Sequence, residues 1–209
     1  MIMIIRLFTA FIFLMTLCGA SPRGHRVTFV YDGDTVRLET GAQIRYVGID
    51  CPEMNFRTRD PEFMAREARE FNEDTVLGKI VRLESDEEKS DRYGRTLAYV
   101  SLEKGPMVNT LLVEKGLAVV MPTGSNLRHY KELKRAQQRA MDARRGIWSR
   151  PLSRTRGPFA ASKRSHRFHR PGCPYAARIH PRNKILFKGL REAFYEGYYP
   201  CSHCNPEKH

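Results

Sequence analysis

Four short segments hold the residues best able to do chemistry: Asp32-Gly33-Asp34-Thr35-Val36, an isolated Arg45, Asp50-Cys51-Pro52-Glu53, and Asp91-Arg92-Tyr93-Gly94-Arg95. Each has an ordinary structural explanation when taken alone. Asp-Gly-Asp is turn chemistry, Asp-x-Pro-Glu suits a strand end or a helix cap, and a single arginine is commonly a solvated surface residue. Taken together they supply carboxylates for a hard divalent cation, a further carboxylate to orient or deprotonate water, and two guanidinium groups to neutralise charge on phosphorus. That is the inventory phosphodiester hydrolysis requires.

A second constellation lies near the C-terminus. His169-x-x-x-Cys173 is followed, after 27 residues, by Cys201-x-x-Cys204. Two ligand pairs with short internal loops and a longer spacer suit a tetrahedral zinc ion, because each pair takes one edge of the metal. His166, His180 and His203 are alternative fourth ligands. In an oxidising compartment the same cysteines could instead form a disulfide, either Cys201 to Cys204 or one that includes Cys173. Cys51, inside the first constellation and distant from the other three, is expected to stay unpaired.

The elements that must position these groups can be read from local patterning. Residues 26 to 46 alternate apolar and polar around two turn signals, Asp32-Gly33 and Thr40-Gly41, which predicts short antiparallel strands. Pro61 suits a first helical position, and Phe63, Ala65, Ala68, Phe71, Val76 and Leu77 recur at helical spacing. Strands are expected over Lys79 to Leu83 and Thr96 to Leu102, then helices near Met107 to Lys115 and Asn126 to Arg144. Five short strands with interspersed helices suit a small Greek-key barrel such as the OB-fold, and suit other α+β folds as well. Arg45 and Asp50 are five positions apart, so a flat strand would point them to opposite faces. Their convergence needs a bend, and Gly48 permits one.

The chain has 209 residues and a formal charge of +13, which selects an anionic partner, either nucleic acid or an acidic membrane surface. Arg6, the apolar run Leu7 to Leu17 and the small cluster Cys18-Gly19-Ala20 follow the order of a signal peptide, so residues 1–20 are set apart from the fold. The run is shorter than a membrane-spanning helix needs, and nothing after it is long and apolar enough to cross a bilayer. The expected mature protein is a secreted or periplasmic monomer. Retention at the envelope through an uncleaved or lipidated N-terminus is the lesser reading. From Ala143 to Arg191 there is no Asp or Glu, while arginines crowd the first half of that stretch. This divides the chain into a main domain over 24–148, a flexible basic linker over 149–165 and a small metal module over 166–206.

In order and spacing, Asp32 to Leu38, Ile44 to Glu53, Asp91 to Tyr99, Val108-Asn109 and the closing Gly146-Ile147-Trp148 resemble the staphylococcal nuclease family over about residues 26–148. The resemblance implies an OB-fold barrel with three helices. It also implies a calcium-dependent nuclease that acts on DNA and RNA and leaves 3′-phosphate ends. By matched position, Asp34 and Asp50 would be calcium carboxylates, and Cys51 would offer its backbone carbonyl to the same ion. Glu53 would orient the attacking water. Arg45 and Arg95 would bind the phosphate, with Arg95 also assisting the leaving group and Tyr93 beside it. The chain departs from the family in the loop Met54 to Asp60, which contains Arg57 and Arg59. It departs again at Pro122-Thr123-Gly124, where family members carry stacking tyrosines and this chain has only Tyr130 nearby. The competing reading is a non-catalytic basic nucleic-acid-binding protein of the envelope, since some barrels of this fold lose their carboxylates and only bind.

The C-terminal constellation resembles the small metal-binding module of the Ada family of methylphosphotriester-repair proteins. In that family the leading ligand is the methyl-accepting cysteine. Here His169 stands in that place, which implies a structural zinc site without repair chemistry.

Overall fold

The computed structural model describes residues 24–152 and 157–206. The expected signal peptide, with Cys18, lies outside the described residues, as do four positions of the expected linker. Among the described residues no helix is long and apolar enough to cross a membrane.

Five strands close into a barrel: β1 (His25–Val30), β2 (Thr35–Leu38), β3 (Gln43–Tyr46), β5 (Ile80–Glu84) and β6 (Thr96–Leu102), in the order β1-β2-β3-β6-β5. The two turn signals fall where the sequence put them, at the β1–β2 and β2–β3 connections. Between β3 and β5 lie the two-residue strand β4 (Ile49–Asp50) and helix α1 (Ala65–Val76). Beyond β6 come α2 (Val108–Glu114), β7 (Val119–Val120), which pairs with β4, and α3 (Tyr130–Asp142). Val27, Val36, Ile44, Tyr46, Val81 and Ala98 are fully buried inside the barrel. Removing such side chains from water supplies the main favourable term of folding.

Two buried amides fix helices to this core. Asn109, at the start of α2, accepts from Val100 N at 2.9 Å and donates to Val47 O at 2.9 Å. Asn72 on α1 donates to Asp32 O at 3.1 Å and accepts from Tyr46 Oη at 3.0 Å, which ties the β1–β2 turn to the helix.

Helix α1 starts later than the sequence suggests. Residues after Glu53 double back, with Asn55 and Arg59 at positive φ and Glu62 N donating to Glu53 O at 2.9 Å. Pro61 is spent in that loop. The helix begins only after Met64, itself left-handed at φ 68°.

The linker reading is also corrected. Within 149–165, β8 (Phe159–Ser162) is an ordered strand with Phe159 and Ala161 buried. Its two-residue alternation is hidden in the sequence by neighbouring charges such as Lys163 and Arg164. With β9 (Arg167–His169), β10 (Lys184–Phe187) and β11 (Tyr199–Pro200) it forms a second sheet ordered β10-β8-β9-β11, accompanied by the short helices α4 (Pro174–Ala177) and α5 (Leu190–Tyr195).

That sheet docks on α3. Ala140, Met141 and Trp148 pack in one buried cluster with Phe159, Phe168, Phe187 and Phe194. Gln137, wholly buried, accepts from Val120 N at 2.7 Å and donates to Phe194 O at 2.5 Å. Its one amide therefore joins the barrel side to the C-terminal module.

Candidate active site

The β1–β2 turn places Asp34 with only 4% of its surface exposed. Asp32 Oδ1 accepts from Asp34 N at 3.0 Å, the local bond an Asx turn provides. One residue later β2 begins, and its Thr35 is the register partner of Arg45 on β3. This pairing sets the Arg45 side chain beside Asp34, with Nη1 to Oδ2 at 2.8 Å.

After β3 the chain bends at Gly48, whose φ of +81° few other residues adopt. The bend brings Asp50 round to the same face, and Arg45 Nη2 meets Asp50 Oδ1 at 2.6 Å. The convergence that a flat strand forbids is thus achieved at the glycine. Arg45 Nη1 also donates to Tyr46 O at 3.0 Å and Ile49 O at 3.1 Å, and Cys51 N donates to Asp34 Oδ2 at 2.7 Å. Cys51 is buried and free.

Burial dominates the electrostatics here. It raises the Asp34 carboxyl well above its ordinary value; Arg45 opposes the rise, and Asp32 and Asp50 add to it. For Arg45, burial works against the charge, but Asp34 and Asp50 outweigh it and the guanidinium pKa is raised. Glu53 stands at the rim of this cluster. Partial withdrawal from water, then Asp32 and Asp50, raise its pKa as well. Three carboxylates crowd one point, and their mutual repulsion is what a cation relieves.

Arg95 enters from the other side. The 91–95 turn, closed at Gly94 with φ +80°, lets Asp91 accept from Arg95 N at 3.0 Å and from Arg95 Nε at 2.7 Å. Those bonds hold the Asp91 carboxyl below its usual range, although its partial burial acts in the opposite direction. Tyr93 is 68% exposed, and the guanidinium groups of Arg92 and Arg95 lie 4.8 and 5.6 Å from its ring centre. Arg45, Arg95 and Tyr93 line one cavity of about 520 Å³. The expected residues therefore fall into two groups: Asp34, Arg45, Asp50 and Glu53, coupled by charge, and Arg95 with Tyr93, which share a cavity with Arg45. Tyr130, the residue considered for stacking, is engaged elsewhere, since its hydroxyl bonds to Glu196 O at 3.2 Å.

Sequence reasoning passed over two residues at this site. Tyr199, on β11, donates its hydroxyl to Asp50 Oδ2. Arg167, on β9, lines the same cavity as Arg45 and Arg95. Neither belongs to a motif, and no local signal marks them, because tertiary docking of the second sheet brings them in.

The donor sets fit the two metals in different ways. At the barrel, the Arg45 guanidinium already lies between Asp34 and Asp50 as a cation, and the carboxylates that meet it offer oxygen, the donor preferred by a hard divalent ion. In the second sheet, His169, Cys173, Cys201 and Cys204 are all buried, with one candidate ligand atom from each lying within 4.8 Å of the others. All three cysteines are free of disulfides. Burial, joined by the neighbouring Cys173 and Cys201, pushes the Cys204 thiol up to about 12. Without a cation, a buried thiolate there would be costly. The alternative histidines lie elsewhere: His166 packs on Tyr130 and Tyr198, His203 on Tyr175, and His180 accepts from Arg182 N.

Comparison with known proteins agrees with this geometry. The sequence model described as Staphylococcal nuclease homologue matches residues 43–150. The thermonuclease of Staphylococcus hyicus is 34% identical over 136 residues, covering 64% of this chain and 80% of that protein. The thermonuclease of Staphylococcus intermedius is 34% identical over 124 residues, covering 58% of this chain and 73% of its own length. The SPbeta prophage-derived endonuclease YokF of Bacillus subtilis is 31% identical over 124 residues, covering 57% of this chain and 42% of its own. With the closed five-stranded barrel and its converging carboxylates and arginines, these matches lead to one conclusion: the chain belongs to the staphylococcal nuclease family and is a hydrolytic nuclease whose substrates are nucleic acids.

Proposed function

We propose that this nuclease is exported and calcium-dependent, and that it hydrolyses DNA and RNA to leave 3′-phosphate ends. The observation that carries the reading is the Arg45 guanidinium lying between Asp34 and Asp50. A positive charge is already stabilised at this point by two carboxylates of opposite approach.

In this reading Asp34, Asp50 and the Cys51 carbonyl hold the calcium ion, which when bound supplies charge stabilisation at the phosphate and lowers the pKa of water. Glu53, at the rim, orients and deprotonates the attacking water, and its raised pKa brings it closer to the value a general base needs. Arg45 and Arg95 neutralise the phosphate oxygens from two sides of the cavity, and Arg95 stands by the leaving group. Asp91 holds Arg95 in place. Tyr93, exposed beside Arg95, contacts the substrate strand. Contacts to phosphate rather than to base edges give modest sequence preference.

The chain is divided into a nuclease domain through Trp148 and a zinc module that starts with β8, with zinc held by His169, Cys173, Cys201 and Cys204 in a structural role. Export rests on the order of the first twenty residues. The protein acts as a monomer.

Cleavage of circular single-stranded DNA in calcium, in EDTA and with Glu53→Gln tests the reading. Cutting that requires calcium and falls at least a hundredfold in the variant is expected, in line with removal of a general base. Binding without cutting in any divalent ion would instead favour the basic binding protein.

A further inference from the structure

The second sheet reaches the nuclease site with two side chains, Tyr199 and Arg167. On β11 the Tyr199 hydroxyl donates to Asp50 Oδ2, the carboxylate oxygen that Arg45 leaves unused. On β9, the register partner of Tyr199 is Arg167. Its guanidinium lies over the Tyr199 ring at 4.5 Å, with Nη1 donating to Pro200 O at 3.3 Å, so its direction is fixed. Arg167 lines the 520 Å³ cavity with Arg45 and Arg95. It also lines the adjoining cavity of about 610 Å³ on the module, together with Arg178 and His180. It therefore stands where a strand leaving the cut site would pass onto the module.

Both residues are anchored from behind. Two positions beyond Arg167 is His169, and two beyond Tyr199 is Cys201, both members of the four-residue ligand cluster. The parallel ladder continues between them, with Cys201 N donating to Phe168 O at 2.9 Å. The cluster thus clamps the two strand ends that present Arg167 and Tyr199 to the barrel.

We propose that the C-terminal module is part of the nuclease site: Arg167 binds a phosphate of the substrate strand next to the one being cut, and Tyr199 is a positioning residue for the Asp50 carboxylate. The inference rests on the nuclease site assigned above. The ligand is single-stranded nucleic acid, because guanidinium groups in a row along a groove match successive phosphates.

Steady-state cleavage of single-stranded DNA over a salt series tests the phosphate role. Arg167→Gln should raise KM about tenfold with little change in kcat, and should flatten the slope of log KM against log salt by about 0.7, the share of one phosphate on a single strand. Arg167→Lys should restore the slope. Lys188→Gln, which removes a positive charge from an exposed position on the same module away from both cavities, should leave KM and slope unchanged. Tyr199→Phe keeps the ring beneath Arg167 and should keep KM, while the midpoint of calcium binding, measured by calorimetry without substrate, rises about tenfold, as for loss of one hydrogen bond to a charged group. A change in unfolding temperature alone would be a packing effect.

An unchanged salt slope in Arg167→Gln, or an equal change in Lys188→Gln, overturns the phosphate role. An unchanged calcium midpoint in Tyr199→Phe overturns the positioning role, and this arm stands even if the Arg167 variants do not fold. Wild-type protein that does not cut, or Glu53→Gln that cuts as well as wild type, overturns the assigned site and this inference with it. Wild-type cutting that Glu53→Gln abolishes but both module residues leave untouched overturns only the inference.

Discussion

Arg45 illustrates how a site can be arranged around a charge. A buried guanidinium is costly unless paired, and here Asp34 and Asp50 pair it while three peptide or carboxylate groups take its Nη1. The same carboxylates are strained by each other. Because folded Asp34 has a raised pKa, it binds its proton more tightly than the unfolded chain does. Its protonated form therefore favours folding at low pH, and that contribution is lost as pH rises through the folded pKa. The calcium ion proposed for this site would offset the cost at neutral pH.

Glu53 follows the same sign with a kinetic consequence. A base must be ionised, so cleavage should fall as pH drops through the raised Glu53 value, above the ordinary glutamate range. Since Asp32 contributes to that rise, Asp32→Asn should move the acid limb of the kcat/KM profile to lower pH while keeping the Oδ1 bond from Asp34 N. An acid limb that stays in place would remove Glu53 from the role of base. At this scale the sequence singled out Asp34, Arg45, Asp50, Glu53 and Arg95 as candidates, with their separate roles implied only by the family resemblance, and the structure brings Arg45 onto Asp34 and Asp50. Tyr199 could not, because it lies 149 positions from Asp50 and meets it only through packing.

Among the elements, the decisive one is the bend between β3 and β4. Parity along a strand would separate Arg45 from Asp50, and Gly48 removes the conflict by turning the chain at φ +81°. A Cβ at this position would also come within 2.9 Å of Leu133 Cδ1 on α3. Gly48→Ala should therefore destabilise the fold by about 1–2 kcal/mol, the cost of a left-handed residue with a side chain. It should also lower cleavage by more than the loss of folded protein explains, since the shift falls between two site residues. Thermal unfolding and activity measured on the same sample separate the two effects; an alanine variant with full stability and full activity would show that the bend does not set the site. The strands were legible from alternation and turns. The start of α1 was not, because Pro61 carries the same signal in a helix and in a loop, and only the contact of Glu62 with Glu53 decides between them.

At the scale of the whole molecule the question is whether the two sheets act as one body. Charge runs suggested a tether, yet the described part of that stretch contains β8, and α3 is shared. Its Gln137 bonds to both sides, Lys134 pairs with Glu196 at 2.7 Å, and Arg191 reaches Asp142 at 3.3 Å. The surface pairs add little individually, so the union depends on the apolar cluster around Trp148 and Phe194, whose rings meet edge to face at 5.3 Å. That cluster has the second sheet as one wall, and the same sheet carries His169, which converges with Cys173, Cys201 and Cys204.

Zinc bound by His169, Cys173, Cys201 and Cys204 as proposed would contribute to the folding of a module this small. Stripping zinc with a selective chelator, in the presence of calcium, should therefore loosen the module. Trp148 is the chain's one tryptophan and is 6% exposed at the junction, so its fluorescence should shift to the red. Cleavage should decline over the same chelator range, because Arg167 and Tyr199 leave the cavity together. A red shift with full activity would mean that the barrel works alone. If emission and activity both stay constant while metal analysis records one zinc lost per chain, the ligand cluster does not hold the module. The coupled loss is expected, since His169 and Cys201 stand two positions from Arg167 and Tyr199 on the paired strands β9 and β11.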